Sequence, residues 1–296
     1  MSLQPLPAVA RERVVLLDGG IGTQLQLAGL APGGCGELWN VERPDVVAGV
    51  HRAYADAGAE ALLTNTFGGS PLALARHGHG DRAAELNRAA AALAREAAGP
   101  ERWVLGDVGP FGGFLAPLGE TSAAEAEAGF REQVEALLEG GVDGVLIETM
   151  TALDELALAV RAARAAGAPF VIASVAFDAT RVGPRTMMGV SPADAAHTAR
   201  ELGIDALGAN CGAGLDLAGY AALLRELAAA APALPLLCRP NAGTPRLEDG
   251  RIRYDLTPQG MAADVDALVA AGARMIGGCC GTTPAHIAAL RTALGR

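Results

Sequence analysis

The feature that most constrains the fold is one pattern repeated eight times: a short apolar run, then a longer segment rich in alanine, leucine, arginine and glutamate. The short runs are typical of strands buried on both faces, and the longer segments of helices. With no linker and no shift in composition between halves, the repeat predicts an α/β fold, a single (β/α)8 TIM barrel. An open doubly wound sheet is the alternative. The predicted strands are 13–18, 59–66, 102–109, 142–149, 169–177, 205–211, 234–241 and 273–280.

Helix-start signals agree with this division of the chain. A serine or threonine that can cap a helix precedes a proline suited to the first helical position at four places. A further serine stands three residues before a glutamate, the spacing of a capping box. These cap positions are Ser70, Ser191, Thr257, Thr283 and the pair Ser122 and Glu125.

Composition narrows the partners to small molecules. The net charge is −10, and the basic residues are scattered, so no basic surface for nucleic acid or an acidic membrane is predicted. All 23 basic residues are arginine, which excludes any mechanism that requires a lysine Schiff base. No secretory signal or uninterrupted apolar span is apparent, so a cytoplasmic location is expected.

Polar residues gather where the predicted strands end. In TIM barrels the active site lies at the C-terminal rim of the strands, so side chains at these positions meet in one ring. We therefore expect the active site to include groups from seven segments. These groups are Asp18, Asn65, Asp107, Glu148, Cys211, Asn241 and the pair Cys279 and Cys280.

Three of the five cysteines fall on this rim. An odd number of cysteines without an export signal favours reduced thiols over disulfides. Cys211 ends strand six, and Cys279 and Cys280 end strand eight, separated only by strand seven. Three thiolates with an open fourth position are typical of a catalytic zinc site. The alternative is buried free thiols or a strained vicinal disulfide.

The first strand ends in Asp18, followed by Gly19, Gly20 and Gly22. Backbone N–H groups of these glycines can face a carboxylate while Asp18 faces an ammonium, a pair of features that suits an amino acid. A helix cap or turn role for Asp18 is the alternative. Glu148 is buried at a strand end and needs a cationic partner, which is either a substrate ammonium or a rim arginine such as Arg239. Asn65, Asp107 and Asn241 are predicted as supporting residues.

The combination of these segments resembles the homocysteine S-methyltransferase family, over nearly the whole chain from Val14. Within that family it looks most like the homocysteine-binding module of cobalamin-dependent methionine synthase. The segments that carry the resemblance are LLDGGIGTQLQ, LLTNTFGG, GDVGP, VDGVLIET, GANCG, RPNAG and GGCCGTTPAHI.

The resemblance implies that Cys211, Cys279 and Cys280 bind Zn²⁺ and act in catalysis through it. It also implies that Asp18, Gly19 and Glu148 hold the amino-acid end of homocysteine. Residues 13–296 would form the homocysteine-binding barrel after an N-terminal tail, 1–12. The zinc would keep the homocysteine sulfur as a thiolate that attacks a methyl group to form methionine.

The chain ends soon after the last cysteine motif, so folate-binding and cobalamin-binding modules are not expected in it. The methyl donor is then a separate methyl-corrinoid protein or a small onium compound such as S-methylmethionine or betaine. Two other functions remain open from the residues alone. One is a metal-independent acid–base enzyme using Asp18 and Glu148; the other is a non-catalytic zinc-binding or redox-sensing barrel.

Overall fold

Parallel strands form a ring at the centre of the computed structural model, which describes residues 3–248 and 251–295. Each strand of this eight-stranded sheet pairs with the next in the chain, and the last pairs with the first. A bridge between Leu17 and Ala61 closes the ring, which confirms the predicted barrel. The ring strands are β1 (Val15–Leu16), β2 (Ala61–Leu63), β3 (Trp103–Val108), β4 (Gly144–Met150), β5 (Val171–Val175), β6 (Ala206–Asn210), β7 (Leu236–Arg239) and β10 (Ala273–Ile276).

Helices surround the ring and connect successive strands. Five of them begin directly after the predicted cap residues. Ser122 accepts a hydrogen bond from the backbone of Glu125, and Ser191 from that of Asp194. The helices are α1 (Leu6–Ala10), α2 (Ile21–Leu27), α3 (Trp39–Glu42), α4 (Pro44–Ala57), α5 (Pro71–Ala75), α6 (Ala83–Ala98), α7 (Ala123–Glu139), α8 (Leu153–Ala165), α9 (Pro192–Glu201), α10 (Leu217–Ala230), α11 (Pro258–Ala263), α12 (Val265–Ala270) and α13 (Pro284–Ala293), with a short 3₁₀ helix at Gly80–Arg82.

The side chains of each strand point alternately outward and inward, and so form two apolar layers, one outside the ring and one inside it. Side chains of one phase, such as Val104 and Val145, pack outward against the helices, and those of the other, such as Leu105 and Leu146, fill the ring. Because neighbouring strand residues point to opposite faces, the inward phase continues towards the C-terminal ends of the strands. There the inward residues become polar, and the top layer of the barrel is built from Asp107, Glu148, Ser174, Asn210 and Arg239.

Two details differ from the predicted elements. An antiparallel hairpin of β8 (Arg246–Glu248) and β9 (Arg251–Arg253) is inserted after β7, in a segment for which no strand was predicted. The last ring strand ends at Ile276, whereas the prediction continued it through Cys280. The chain leaves the sheet at Gly277, and this bend is what allows both cysteines to face one point.

The other end of the barrel is covered by the segment predicted as an N-terminal tail. Leu6 and Ala10 of α1 are fully buried and pack with the apolar layer inside the ring. The Trp103 indole also donates a hydrogen bond to the carbonyl of Gln4 at 2.8 Å. Across the described residues, none of the helices combines the length and apolar character needed to cross a bilayer.

Candidate metal centre and substrate cavity

A cavity of about 700 Å³ opens at the C-terminal rim of the barrel. It is lined by groups that follow seven of the ring strands, as expected from the positions of the strand ends. The predicted site residues on its wall are Gly19, Asn65, Asp107, Glu148, Cys211, Cys279 and Cys280, and Arg239 lies among them. Asp18 and Asn241 are not on this wall; both are buried behind it.

Three thiols meet at one side of the cavity. The sulfur atoms of Cys211, Cys279 and Cys280 all lie within 4.8 Å of one another, and those of Cys211 and Cys280 are 3.6 Å apart. Tetrahedral sulfur ligands at about 2.3 Å from a zinc ion would be separated by roughly 3.8 Å. No fourth histidine, cysteine or carboxylate joins the group in the described part of the chain. The spacing therefore suits one soft metal ion with a coordination position left open.

The bend after β10 brings Cys279 and Cys280 to the same side. At Gly278 the chain passes so close to Thr282 that a Cβ there would lie 2.3 Å from the threonine hydroxyl. Two backbone hydrogen bonds then fix the cysteines: the N–H of Cys279 donates to Pro240, and the N–H of Ala242 donates to Cys280. The close approach at Gly278 and the backbone hydrogen bonds to the segment after β7 together set the direction of both thiols.

Cys211 reaches the cluster through a left-handed backbone conformation, with φ of 57°. Such a conformation is costly for a residue with a side chain and is typical of functional sites. The preceding Asn210 anchors it: the Asn210 amide accepts from Ser174 Oγ at 2.7 Å, donates to Thr149 Oγ1 at 2.7 Å and contacts the Cys279 sulfur at 3.8 Å. Asn210 was not predicted as a site residue. The alternation of residues along its strand could have indicated that its side chain points into the ring, directly before Cys211.

The three thiols interact strongly with one another. Hydrogen bonds from Cys211 and Cys279 lower the pKa of Cys280 to about 3, and one from Tyr254 adds to this effect. Conversely, hydrogen bonding to Cys279 and Cys280 raises the pKa of Cys211. The cluster favours one thiolate flanked by two thiols. A cation among the three sulfurs would favour the deprotonation of all of them, because its positive charge offsets their mutual repulsion.

Arg239, on the strand between the two that lead to the cysteines, forms the centre of a buried charge network. Its guanidinium donates to Glu148 through one nitrogen and lies 3.4 Å from Asp18 Oδ1 through another. All three side chains are buried. Burial raises the pKa of Asp18 and of Glu148 to about 7, although Arg239 acts in the opposite direction. The internal salt bridge that sequence reasoning left open for Glu148 is therefore present.

Asp18 uses both of its oxygens inside the protein. Besides the contact with Arg239, its Oδ2 accepts a hydrogen bond of 2.8 Å from the backbone N–H of Leu63. Its predicted contact with a substrate ammonium stays a prediction. The Gly20 N–H is also occupied, because it donates to Thr282 Oγ1 at 2.9 Å. Gly19 faces the cavity, and a Cβ there would lie 2.6 Å from the same oxygen.

Two of the predicted supporting residues are hydrogen-bonded to the protein. Asn241 accepts from the Cys280 N–H at 3.1 Å and donates to Gly212 at 3.5 Å, so it connects the two cysteine segments. Asn65 donates to the carbonyl of Gly36 at 2.8 Å, which fixes the loop after β1. Sequence reasoning also missed Tyr254, which follows the inserted hairpin and packs on Gly281 beside the cysteines.

The fold and site define a TIM-barrel protein with three thiols, spaced to hold a metal ion, on the wall of a polar cavity. The sequence profile of the homocysteine S-methyltransferase family matches residues 15–294, and the chain belongs to this family. The pattern of rim motifs had implied this membership.

Individual relatives of known name are consistent with this family. The chain is 39% identical over 298 residues to methionine synthase from Mycobacterium tuberculosis and 36% identical over 304 residues to that from Mycobacterium leprae, matches that cover 94% and 96% of this chain. It spans 24% of the length of each, about a quarter. Among solved structures, the metallated form of the homocysteine methyltransferase MmuM from Escherichia coli is similar, with a TM-score of 0.78 and 30% identity, covering 98% of this chain and 99% of that one.

Proposed function

We propose that this protein is a zinc-dependent homocysteine S-methyltransferase that forms methionine. The observation that carries the proposal is the group of three thiols on the wall of the rim cavity, within 4.8 Å of one another, in a chain of this family. Metal-independent acid–base catalysis by Asp18 and Glu148 is less well supported, because Arg239 occupies both carboxylates. A closed, non-catalytic metal site is also less well supported, because the described residues supply three ligands.

The residues proposed to hold zinc are Cys211, Cys279 and Cys280. When bound, zinc supplies the positive charge and the open position that keep a substrate thiol deprotonated near neutral pH. The protein's part is to hold the three sulfurs in place. Asn210 fixes the strand end before Cys211, and Asn241 holds the backbone of Cys280, so that little reorganisation accompanies binding.

The amino-acid end of homocysteine is proposed to lie between the glycine turn after β1 and the carboxylate of Glu148. Both line the cavity that the thiols face. Arg239 orients Glu148 and leaves its second oxygen for the ligand. Asp18 is proposed to act on the ammonium through this network, because it pairs with Arg239 behind the wall. The barrel of residues 13–296 is proposed as the homocysteine-binding unit.

The methyl donor is proposed to enter through the outer part of the cavity. Exposed apolar side chains lie on the loops that follow β2, β3 and β5 at this end of the barrel; they include Phe67, which lines the cavity, and Phe114, Leu118, Met187 and Met188. A small onium donor such as S-methylmethionine or betaine would need only the cavity, whereas a methyl-corrinoid protein would also need this surface. Turnover with each donor in turn separates the two.

The test of the proposed function is an assay of methionine formation from homocysteine, with zinc content measured on the same preparation. We expect about one zinc per chain and turnover with at least one donor from a panel of S-methylmethionine, betaine and a methylated corrinoid protein. A chain that binds zinc but methylates homocysteine with none of these donors would contradict the proposal. Full turnover after complete zinc removal would contradict the mechanism.

Glu148→Gln tests the substrate side of the site. The substitution removes the negative charge but keeps an oxygen that can accept from Arg239. We expect KM for homocysteine to rise about tenfold, since a charge-assisted hydrogen bond to the ammonium becomes a neutral one. Zinc content should not change. An unchanged KM in a correctly folded variant would remove Glu148 from the substrate site.

A further inference from the structure

Asp107 carries a carboxylate that the protein does not use. It ends the inward phase of β3, is 5% exposed and lies on the cavity wall. Its Oδ1 is buried and has no hydrogen-bond partner among the described residues. A buried carboxylate oxygen without a partner costs free energy, so its retention on the wall of a ligand cavity indicates that a ligand supplies the partner.

The backbone of Asp107, in contrast, is held on both sides. Its N–H donates to Thr64 Oγ1 at 2.9 Å, and its carbonyl accepts from Thr66 Oγ1 at 2.7 Å and from Gln133 Nε2 at 3.2 Å. All four residues are buried. The backbone of the residue is therefore fixed on the cavity wall, while Oδ1 of its carboxylate has no partner among the described residues, an arrangement that suits a preorganised binding group.

The surrounding charges indicate what kind of partner fits. The carboxylates of Asp18, Asp107 and Glu148 interact electrostatically around a single guanidinium, that of Arg239. Arg239 forms ion pairs with Asp18 and Glu148, and no ion pair to Asp107 is present among the described residues. Burial raises the pKa of Asp107 well above its usual value. A cationic group placed between Asp107 and Glu148 would favour the charged form of Asp107 and give its carboxylate a donor.

We propose that Asp107 is a substrate-binding residue whose carboxylate, together with Glu148, accepts the α-ammonium group of the thiol substrate. This inference rests on the proposed function, because it assumes an amino-acid thiol whose sulfur lies at the cysteine cluster. The pair of carboxylates then selects amino-acid thiols over thiol acids that lack the amino group. Asp107 acts in binding and specificity, and it takes no part in activating the sulfur.

The experiment compares Asp107→Asn with the unaltered protein on two thiols, homocysteine and γ-mercaptobutyrate, which lacks the amino group. For homocysteine we expect KM to rise tenfold to a hundredfold, roughly the value of one charge-assisted hydrogen bond, with kcat changed less than about threefold. For γ-mercaptobutyrate we expect similar KM values in both proteins. Calorimetric binding of methionine should weaken by the same factor as the KM for homocysteine, independently of any donor.

Glu155→Gln is the matched control, since Glu155 is another buried carboxylate whose Oε1 accepts from the Phe111 N–H and which is absent from the cavity wall. It should leave all these values unchanged. An unchanged methionine affinity in Asp107→Asn would overturn the inference, as would equal losses for both thiols. So would a change confined to the KM of a cationic donor, because Asp107 would then bind the donor.

Asp107→Glu is the variant to test if Asp107→Asn does not fold. It keeps the charge but moves it by one methylene, so methionine binding should weaken at least about fivefold while binding of γ-methylthiobutyrate stays the same. No change would overturn the inference. Failure of the proposed function itself is a separate result: unaltered protein that neither methylates homocysteine nor binds methionine would remove both together.

Discussion

Cys280→Ala is expected to lose the metal and to reduce methionine formation by about a thousandfold or more. Loss of a residue that merely orients a metal ligand commonly costs about tenfold to a hundredfold, and removal of a ligand itself should cost more. Two of the three sulfurs would remain. That of Cys211 would lose its contact with the Cys280 sulfur, which lies 3.6 Å away. Zinc content by elemental analysis and kcat/KM for homocysteine are the measurements.

Cys238→Ala is the matched control. Cys238 is fully buried in β7 and packs in the outward apolar layer, away from the three-thiol group. The same substitution there should keep about one zinc per chain and nearly full activity, at some cost in stability. Circular dichroism would establish that both variants fold. A folded Cys280→Ala protein that retained full activity without zinc would rule out thiolate activation at this cluster.

Arg239→Met is expected to lower the free energy of unfolding by about 3–5 kcal/mol at neutral pH, the usual cost of removing one partner from a buried ion pair. The substitution leaves the carboxylates of Asp18 and Glu148 buried without a counterion. Urea unfolding measures the loss. Arg88→Met is the control, because Arg88 pairs with Glu139 on the surface at 2.7 Å and should cost no more than about 1 kcal/mol.

The loss should depend on pH in a defined direction. Burial already raises the pKa of Asp18 and of Glu148 to about 7 in the folded protein, and removal of the cation raises both pKa values further. Carboxyl groups with a raised pKa in the folded state stabilise it below their unfolded pKa, and this stability is lost as pH rises. The destabilisation by Arg239→Met should therefore be smaller at pH 5 than at pH 8. Equal losses at both values, or a loss no larger than that of Arg88→Met, would contradict the charge network.

Much of the fold was predictable because a parallel barrel strand is buried on both faces and reads as an apolar run. The runs ending near Asp107 and Glu148 indicated the ring and the direction of its strands. The hairpin β8–β9 was missed because its three-residue strands alternate charged and apolar residues and bury no continuous apolar face. The early end of β10 at Ile276 was missed because Gly277 and Gly278 continue a run that reads as strand.

A site residue could be predicted where its type alone indicates a function, as with a cysteine that can bind a metal. Cysteine type and position indicated Cys211, Cys279 and Cys280, whose sulfurs the fold brings together. The role of Arg239 at the centre of two carboxylates depends on side-chain direction across the ring, which no local pattern records. The unpartnered Oδ1 of Asp107 could not be predicted either, because the lack of a hydrogen bond depends on where all the neighbouring side chains lie.

The closure of the ring also has a consequence for how the protein matures. The strand that completes the barrel, β10, comes after all the others in the chain and pairs with β1, and Cys279 and Cys280 follow directly after it. During synthesis Cys211 emerges well before these two, so a nascent chain lacks two of the three proposed zinc ligands until the last strand has docked. Metal loading should therefore coincide with completion of the fold, and a captured ion would fasten the final strand in place.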